Sequence, residues 1–419
     1  MASQRARLKK NTLYLYGATL VKFIGPLVTL PYLTRVLSVD TYGYVSFVKS
    51  YASYVQLLLD FGFLLSATKS IALALDDSDR IGRIVGNTLV EKGVLALLGA
   101  LATAVCCFTF DLLGRDTAFT WLYYLSCVAT ILVLDFAFRG LQKMEYAAVP
   151  MMVAKLIVVV LTICFVKSDQ DILLIPLFEL LGNLCAGLIS LFFFINIGIR
   201  LKVSSLSVWL SDLKESGSYF ISNFATSFLG VMTTFIAGIY LSMTEVAYWS
   251  LSMTAISAAK AMYAPLGNSI YPYMVQKKDF RLVNRIACYG GICLGGLAVF
   301  VVLFGQRAME IFGGENYAEA GVLLIELLPV MVFSFYSMLY GWPVLGVVGT
   351  AREMSGTTVA AAVVQLALIF SLLLSGHLGL TSLAISCGIS ELSLLLFRLA
   401  LLRIKRPVLI GSKSEEDTI

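Results

Sequence analysis

Ser46, Lys49, Ser53, Gln56 and Asp60 recur at steps of three or four inside an otherwise apolar stretch, a spacing that puts all five on one face of a helix. Thr254, Ser257, Lys260 and Tyr263 line up in the same way just before Pro265. A third stripe, Tyr14, Ala18, Lys22, Gly25, Thr29 and Tyr32, has smaller side chains and is interrupted by prolines, which makes Gly25, Pro26 and Pro31 candidate hinge positions. The chemistry open to such a set is electrostatic. Lys22, Lys49 and Lys260 can line a central cationic cavity that attracts an anionic headgroup, a phosphate above all, with Gln56, Asp60, Ser53, Thr29, Ser257 and Tyr263 as polar or ion-coupling candidates. The alternative is that each lysine snorkels or pairs with a nearby carboxylate such as Asp60 or Glu91.

These residues stand out because an ionised side chain at a bilayer centre costs roughly 2.5 to 3.5 kcal/mol even on the lenient insertion scale. Asp135 and Lys155, in neighbouring apolar segments, read as a structural ion pair rather than a proton relay. Glu179, Glu326 and Glu391 are weaker candidates to titrate, and the single histidine, His377, falls in a short loop. The cluster Asp76, Asp77 and Asp79 resembles a metal-binding set, yet its place suits a solvated loop that caps the next helix at Ser78 or Asp79. No GxxxxGKS loop occurs, so ATP hydrolysis is not expected, and no catalytic or metal-binding residue is assigned.

The elements that carry these residues follow from composition. Of 419 residues 59% are hydrophobic and 14% charged, and the mean hydropathy is +0.87. No soluble core absorbs that much apolar surface. About twelve segments are long enough to cross a bilayer: 11–36, 44–65, 84–110, 119–138, 147–166, 172–195, 219–240, 246–273, 286–304, 320–344, 355–375 and 381–402. The fold class expected is an all-α polytopic membrane protein, with two six-helix lobes around a central cavity. The lobes are residues 1–198 and 218–405, joined by a linker at 199–217 and followed by a polar tail at 406–419. Leu206, Trp209, Leu210 and Leu213 give that linker helical spacing, for a short interfacial helix or a plain loop.

Charge placement sets the topology. Alternate loops, starting from the N-terminal one, hold roughly 20 Lys and Arg, and the others roughly 3 (Arg115, Lys167 and Arg307), which puts both termini in the cytoplasm. The net charge of +5 thus reads as topology and not as nucleic-acid binding. The basic start, Arg5 to Lys10, runs into an uncleaved first span. The eight scattered cysteines read as reduced packing residues. Tryptophans 121, 209, 249 and 342 fall near span ends or in the linker, where an indole favours the headgroup region. The stretch LSVDTYGYVSF at 37–47 aligns without gaps on LSMTEVAYWSL at 241–251, at equivalent places in the two halves, and so suggests duplication.

Several local patterns carry a family likeness. They are Pro31-Tyr32-Leu33-Thr34-Arg35-Val36-Leu37 followed by Tyr42-Gly43, the run from Asp135-Phe136 through Arg139-Gly140 to Lys143-Met144, and Phe312-Gly313-Gly314-Glu315-Asn316-Tyr317 with Ala320. In order and spacing they resemble the Wzx-type polysaccharide flippases of the multidrug/oligosaccharidyl-lipid/polysaccharide (MOP) exporter superfamily. Arg139 departs from the uncharged polar residue expected there, and Phe136 stands where Trp is common. The resemblance implies a flippase in the bacterial inner membrane, multi-pass, that moves an undecaprenyl-diphosphate-linked oligosaccharide from the cytoplasmic to the periplasmic leaflet by alternating access, for O-antigen or related polysaccharide assembly. It implies membrane lipids and polysaccharide polymerase machinery as partners. No cofactor is implied, the drive being an H+ or Na+ gradient or the membrane potential. A drug or cation antiporter of the same superfamily would want an acidic, aromatic pocket. A membrane glycosyltransferase or polymerase, the enzyme rival, would want a larger extramembrane domain than the short loops here.

Overall fold

The computed structural model describes residue 25, residues 28–277 and residues 279–416, except for the side chains of some helical residues, chiefly 221–231 and those after 405. Lys22 and Pro26 therefore lie outside the described residues. The chain is helical, with no strand among the described residues. The end of a first helix, α1 (28–36), leads to α2 (Val39–Asp60), α3 (Phe63–Ala72), α4 (Ser78–Thr109), α5 (Thr117–Ala129), α6 (Asp135–Gly140), α7 (Met144–Phe165) and α8 (Leu174–Asn196). Then come α9 (Leu206–Tyr240), α10 (Met243–Lys277), α11 (Phe280–Gly313), α12 (Ala320–Glu326), α13 (Leu328–Tyr340), α14 (Ala351–Ser375) and α15 (Leu380–Glu416).

Nine helical stretches among the described residues are long and apolar enough to cross a membrane. The end of α1, together with α9 and α10, stands at the three other expected spans. This is an all-α polytopic membrane protein. Contacts divide it into two units, Met1–Phe224 and Ala225–Ile419.

The two matched stretches turn out to be helix starts. Ser38 Oγ accepts the Thr41 amide at 3.3 Å and caps α2. Ser242 Oγ accepts the Glu245 amide at 3.3 Å, and the Glu245 carboxylate in turn accepts the Ser242 amide at 2.9 Å, a capping box that opens α10. The acidic cluster behaves as a cap as well: the Asp77 carboxylate, rather than Ser78 or Asp79, accepts the Arg80 amide at 2.9 Å at the start of α4.

Three expected spans are not single helices. The second breaks at Phe61 and Gly62, both left-handed with φ of 33° and 79°, and continues as α3. The fourth breaks before α6, where the freed Leu134 amide donates to Ser190 Oγ of α8 at 2.8 Å. The tenth breaks between α12 and α13 and ends in a π turn, Gly341–Leu345. Such breaks persist at membrane depth where the freed backbone groups find partners.

Between transmembrane helices the driving force is close packing rather than hydrophobic burial, so small residues mark the contacts. A Cβ at Gly182 of α8 would stand 2.8 Å from Val158 Cγ2 and 2.9 Å from the Ala154 carbonyl of α7. Only glycine lets those two helices approach as they do.

The linker does not form a separate helix. From Leu206 it runs without a break into α9, and its first turns pack on the first unit. Trp249, near the start of α10, is fully buried in the second unit. All eight cysteines are free, Cys127 and Cys387 buried and the rest partly or fully exposed.

Candidate functional site

In the first unit the α2 stripe carries a chain of polar contacts. Lys49 Nζ lies 3.0 Å from Glu179 Oε1 of α8, the lysine side chain 57% exposed and the carboxylate 17%. Ser53 Oγ donates to the Lys49 carbonyl at 3.0 Å, within the helix. One and two turns further on, Gln56 Nε2 donates to Asp60 Oδ1 at 3.1 Å, and Gln56 Oε1 accepts from Thr130 Oγ1 at 3.2 Å. Asp60 also lies 3.5 Å from Lys92 Nζ of α4, a buried lysine whose ammonium sits 5.9 Å from the Phe136 ring centroid.

The second unit holds a matching arrangement. Lys260 Nζ of α10 lies 2.7 Å from Glu391 Oε1 of α15, their side chains 32% and 22% exposed. Ser337 Oγ lies 3.5 Å from the other Glu391 oxygen. Tyr263, three residues on, is buried with its hydroxyl against Ser334 Oγ. Ser257 is exposed. Lys49 and Glu179 are 130 residues apart and Lys260 and Glu391 131. Lys49 is the eleventh residue after its cap Ser38 and Lys260 the eighteenth after its cap Ser242. The seven-residue difference is two turns, so both lysines keep the same helical face.

The α1 residues are structural in their visible contacts. Thr29 Oγ1 donates to the Gly25 carbonyl at 3.1 Å, and the Pro31 carbonyl accepts Thr34 Oγ1 at 3.3 Å and Arg35 Nη1 at 3.1 Å. Gly25 is buried. Asp135 pairs with Arg139 of its own helix at 2.8 Å, not with Lys155 as expected. Arg139, which departs from the family pattern, thereby neutralises the carboxylate beside it.

Three groups were passed over or read only lightly in the sequence. Glu179 and Glu391 are the lysine partners. The repeated separation of about 130 residues between a span-borne Lys and a span-borne Glu in each half is the signal that finds them. Arg398 of α15, 7% exposed, donates to the Ser337 carbonyl and reaches Thr358 Oγ1 at 3.4 Å, tying α13, α14 and α15 together. Asn87 of α4 gathers the start of the connector: its Oδ1 accepts the Ser204 amide at 2.8 Å and Trp209 Nε1 at 3.3 Å, and its Nδ2 donates to Asp212 Oδ2 at 3.4 Å. Burial pushes the Asp212 carboxyl above its ordinary value, the Asn87 hydrogen bond opposing.

The described residues thus form a multi-pass helical membrane protein with a lysine–glutamate pair inside each unit. Solved structures with the same fold include an inward-facing multidrug resistance MATE family transporter of the MOP superfamily, at TM-score 0.69 and 14% identity over 94% of this chain and 99% of that one. The lipid II flippase MurJ in an inward closed conformation matches at TM-score 0.70 and 9% identity, over 94% of this chain and 87% of that one. The family model described as "Polysaccharide biosynthesis protein" matches residues 8–278, and the chain belongs to that family. Two full-length relatives carry the name "Putative O-antigen transporter": one of Escherichia coli (strain K12), 25% identical over 95% of this chain and 98% of its own length, and one of Shigella dysenteriae, 26% identical over 94% and 99%.

Proposed function

We propose that this protein is a flippase that carries an undecaprenyl-diphosphate-linked oligosaccharide from the cytoplasmic to the periplasmic leaflet of the inner membrane by alternating access, for O-antigen or a related polysaccharide. The carrying observation is the lysine at mid-helix in each unit, accessible and held by one carboxylate. A lysine that is more than half exposed deep within a spanning helix does not face hydrocarbon, where it would cost roughly 2.5 to 3.5 kcal/mol. That cost supports a water-filled path beside the lysine, which is what a transporter needs.

The pairing sets how the lysines work. A diphosphate offers more charge and more acceptor oxygens than a carboxylate, so it can take Lys49 or Lys260 from Glu179 or Glu391. Before the substrate arrives each carboxylate balances its lysine, and the displaced glutamate is then free to take a cation. Lys22 is a third cationic candidate, and the exposed or half-buried Ser53, Gln56, Thr29 and Ser257 are the candidates for sugar contact within their own units, whereas the buried Tyr263 is not. An H+ or Na+ gradient or the membrane potential supplies the drive, and polysaccharide polymerase machinery takes the product. The Lys and Arg bias of alternate loops supports two cytoplasmic termini. The names of the full-length relatives support the substrate class.

The test is surface polysaccharide in a deletion strain complemented with the wild-type gene or with Lys49→Ala at matched membrane abundance. Loss on deletion, restored only by wild type, is the expected result. Normal polysaccharide in the deletion strain, with no redundant flippase present, overturns the assignment.

A further inference from the structure

Glu91, midway along α4, is 2% exposed, and neither carboxylate oxygen has a hydrogen-bond partner. An ionised carboxylate buried in that way is not stable: taking the charge out of water costs several kcal/mol unless a cation or a set of donors meets it. Neither is present. Lys92, its neighbour in sequence, turns to Asp60 of α2 and the Phe136 ring of α6. Among the described residues the charged group brought near Glu91 is another carboxylate, Asp212 of α9, whose Oδ2 accepts from Asn87 Nδ2 at 3.4 Å one turn before Glu91. One turn beyond Asp212, Glu215 is taken up with Lys69 of α3 at 3.4 Å. Such a site accommodates a neutral carboxyl far better than a charged one.

The connector approaches Glu91 along α4. Residues 200–212 lie along α4 from its first turn to Asn87, one turn before Glu91. Lys202 pairs with Asp79 at 2.6 Å and donates its amide to the Gly82 carbonyl at 3.1 Å. A Cβ at Gly82 or Gly86 would stand 2.0 Å from the Arg200 carbonyl oxygen or 2.1 Å from that of Lys202. Asn87 then takes Ser204, Trp209 and Asp212. The segment is seated in a groove cut by two glycines, and its last polar contact brings one carboxyl toward another.

We propose that Glu91 is a proton-binding site of the first unit and that the seating of the connector, residues 203–216, on α4 depends on its being loaded. Ionised Glu91 would face Asp212 across a dry contact, and the repulsion is relieved by lifting the connector and admitting water. The sign follows: the seated form binds the proton that the lifted form releases, so seating is present at low pH and lost as pH rises. For one proton the seated-to-lifted ratio falls about tenfold per pH unit through the transition. The site is distinct from the Lys49–Glu179 and Lys260–Glu391 pairs and does not depend on what the protein carries.

Hydrogen exchange read by mass spectrometry over peptides spanning 203–216, on the full chain in lipid nanodiscs from pH 5 to pH 9 and corrected for intrinsic exchange, tests it without any transport assay. Protection in the wild type should fall with rising pH by up to about tenfold per unit. Glu91→Gln, which keeps the neutral shape and so the fold, should stay protected throughout. Asp212→Asn should shift the transition to higher pH without abolishing it, because the repelling charge is gone. Protection that is flat in the wild type, or that falls unchanged in Glu91→Gln, overturns the proposal. Replacing sodium by choline should leave the midpoint in place, and a midpoint that follows sodium makes this a metal-cation site and overturns the proton assignment.

Discussion

Lys49 Nζ and Glu179 Oε1 sit 3.0 Å apart across 130 residues of chain, and Lys260 and Glu391 repeat the relationship at 2.7 Å across 131. Each half joins its second span to its sixth by one ion pair. Because Lys49 is largely exposed and Glu179 is not, losing one partner should cost more than the roughly 1 kcal/mol of a surface pair and less than the roughly 3 to 5 of a fully buried one. Lys49→Ala, which strands the less exposed Glu179, should therefore lower the thermal midpoint of the detergent-solubilised protein more than the double variant Lys49→Ala/Glu179→Ala does. Equal midpoints would show the pair to be uncoupled.

The same comparison separates structure from transport. If the lysine meets the substrate, Lys49→Ala/Glu179→Ala recovers stability but not polysaccharide export in the complemented deletion strain. Recovery of both would make the pair structural.

Gly182 bears on the packing of α7 against α8. Gly182→Val puts atoms 2.8 Å from Val158 and 2.9 Å from a backbone carbonyl. Overpacking of this kind costs about 1 to 3 kcal/mol. Fluorescence-detected size exclusion should show less monodisperse protein and a lower thermal midpoint, whereas Gly356→Ala, where a Cβ meets open space, should behave as wild type.

Asn87 holds the connector through three hydrogen bonds. Asn87→Ala removes them at a net cost of about 0.5 to 1.5 kcal/mol each. Limited proteolysis should then cut faster between residues 203 and 216, with the span helices left intact. An unchanged cutting rate would show that the glycine groove alone seats the segment.

Arg398 links α13 to α14 in the second unit through Ser337 and Thr358. Arg398→Met keeps much of the volume and leaves the Ser337 carbonyl without its side-chain donor, at a cost of about 1 to 3 kcal/mol for hydrogen bonds to a charged group. The thermal midpoint should fall. Arg398→Lys should restore part of it, since a point charge cannot reproduce the guanidinium fork.

The chain by itself determined the elements. A run of apolar residues long enough to cross a bilayer is a local property, so the spans, their approximate ends and the loop charges were legible, and the 37–47 and 241–251 stretches could be matched, although only the structure shows them to be capped helix starts. Periodicity placed Lys49 and Lys260 on one face of their helices for the same reason. It did not say what that face meets. Asp60 and Glu91 were the nearby carboxylates in sequence, yet Glu179 and Glu391 are the partners, because which helices touch depends on close approaches between residues far apart in the chain. The breaks at Phe61, Leu134 and Leu327 escaped as well. Hydropathy does not change where a backbone turns, and the groups that satisfy each break, such as Ser190 Oγ for the Leu134 amide, belong to other helices. Glu91 shows the limit most clearly. In the sequence it is one more acidic residue beside a lysine. Only the fold turns Lys92 toward Asp60, lays the connector along α4 and leaves that carboxyl buried and, among the described residues, without a hydrogen-bond partner.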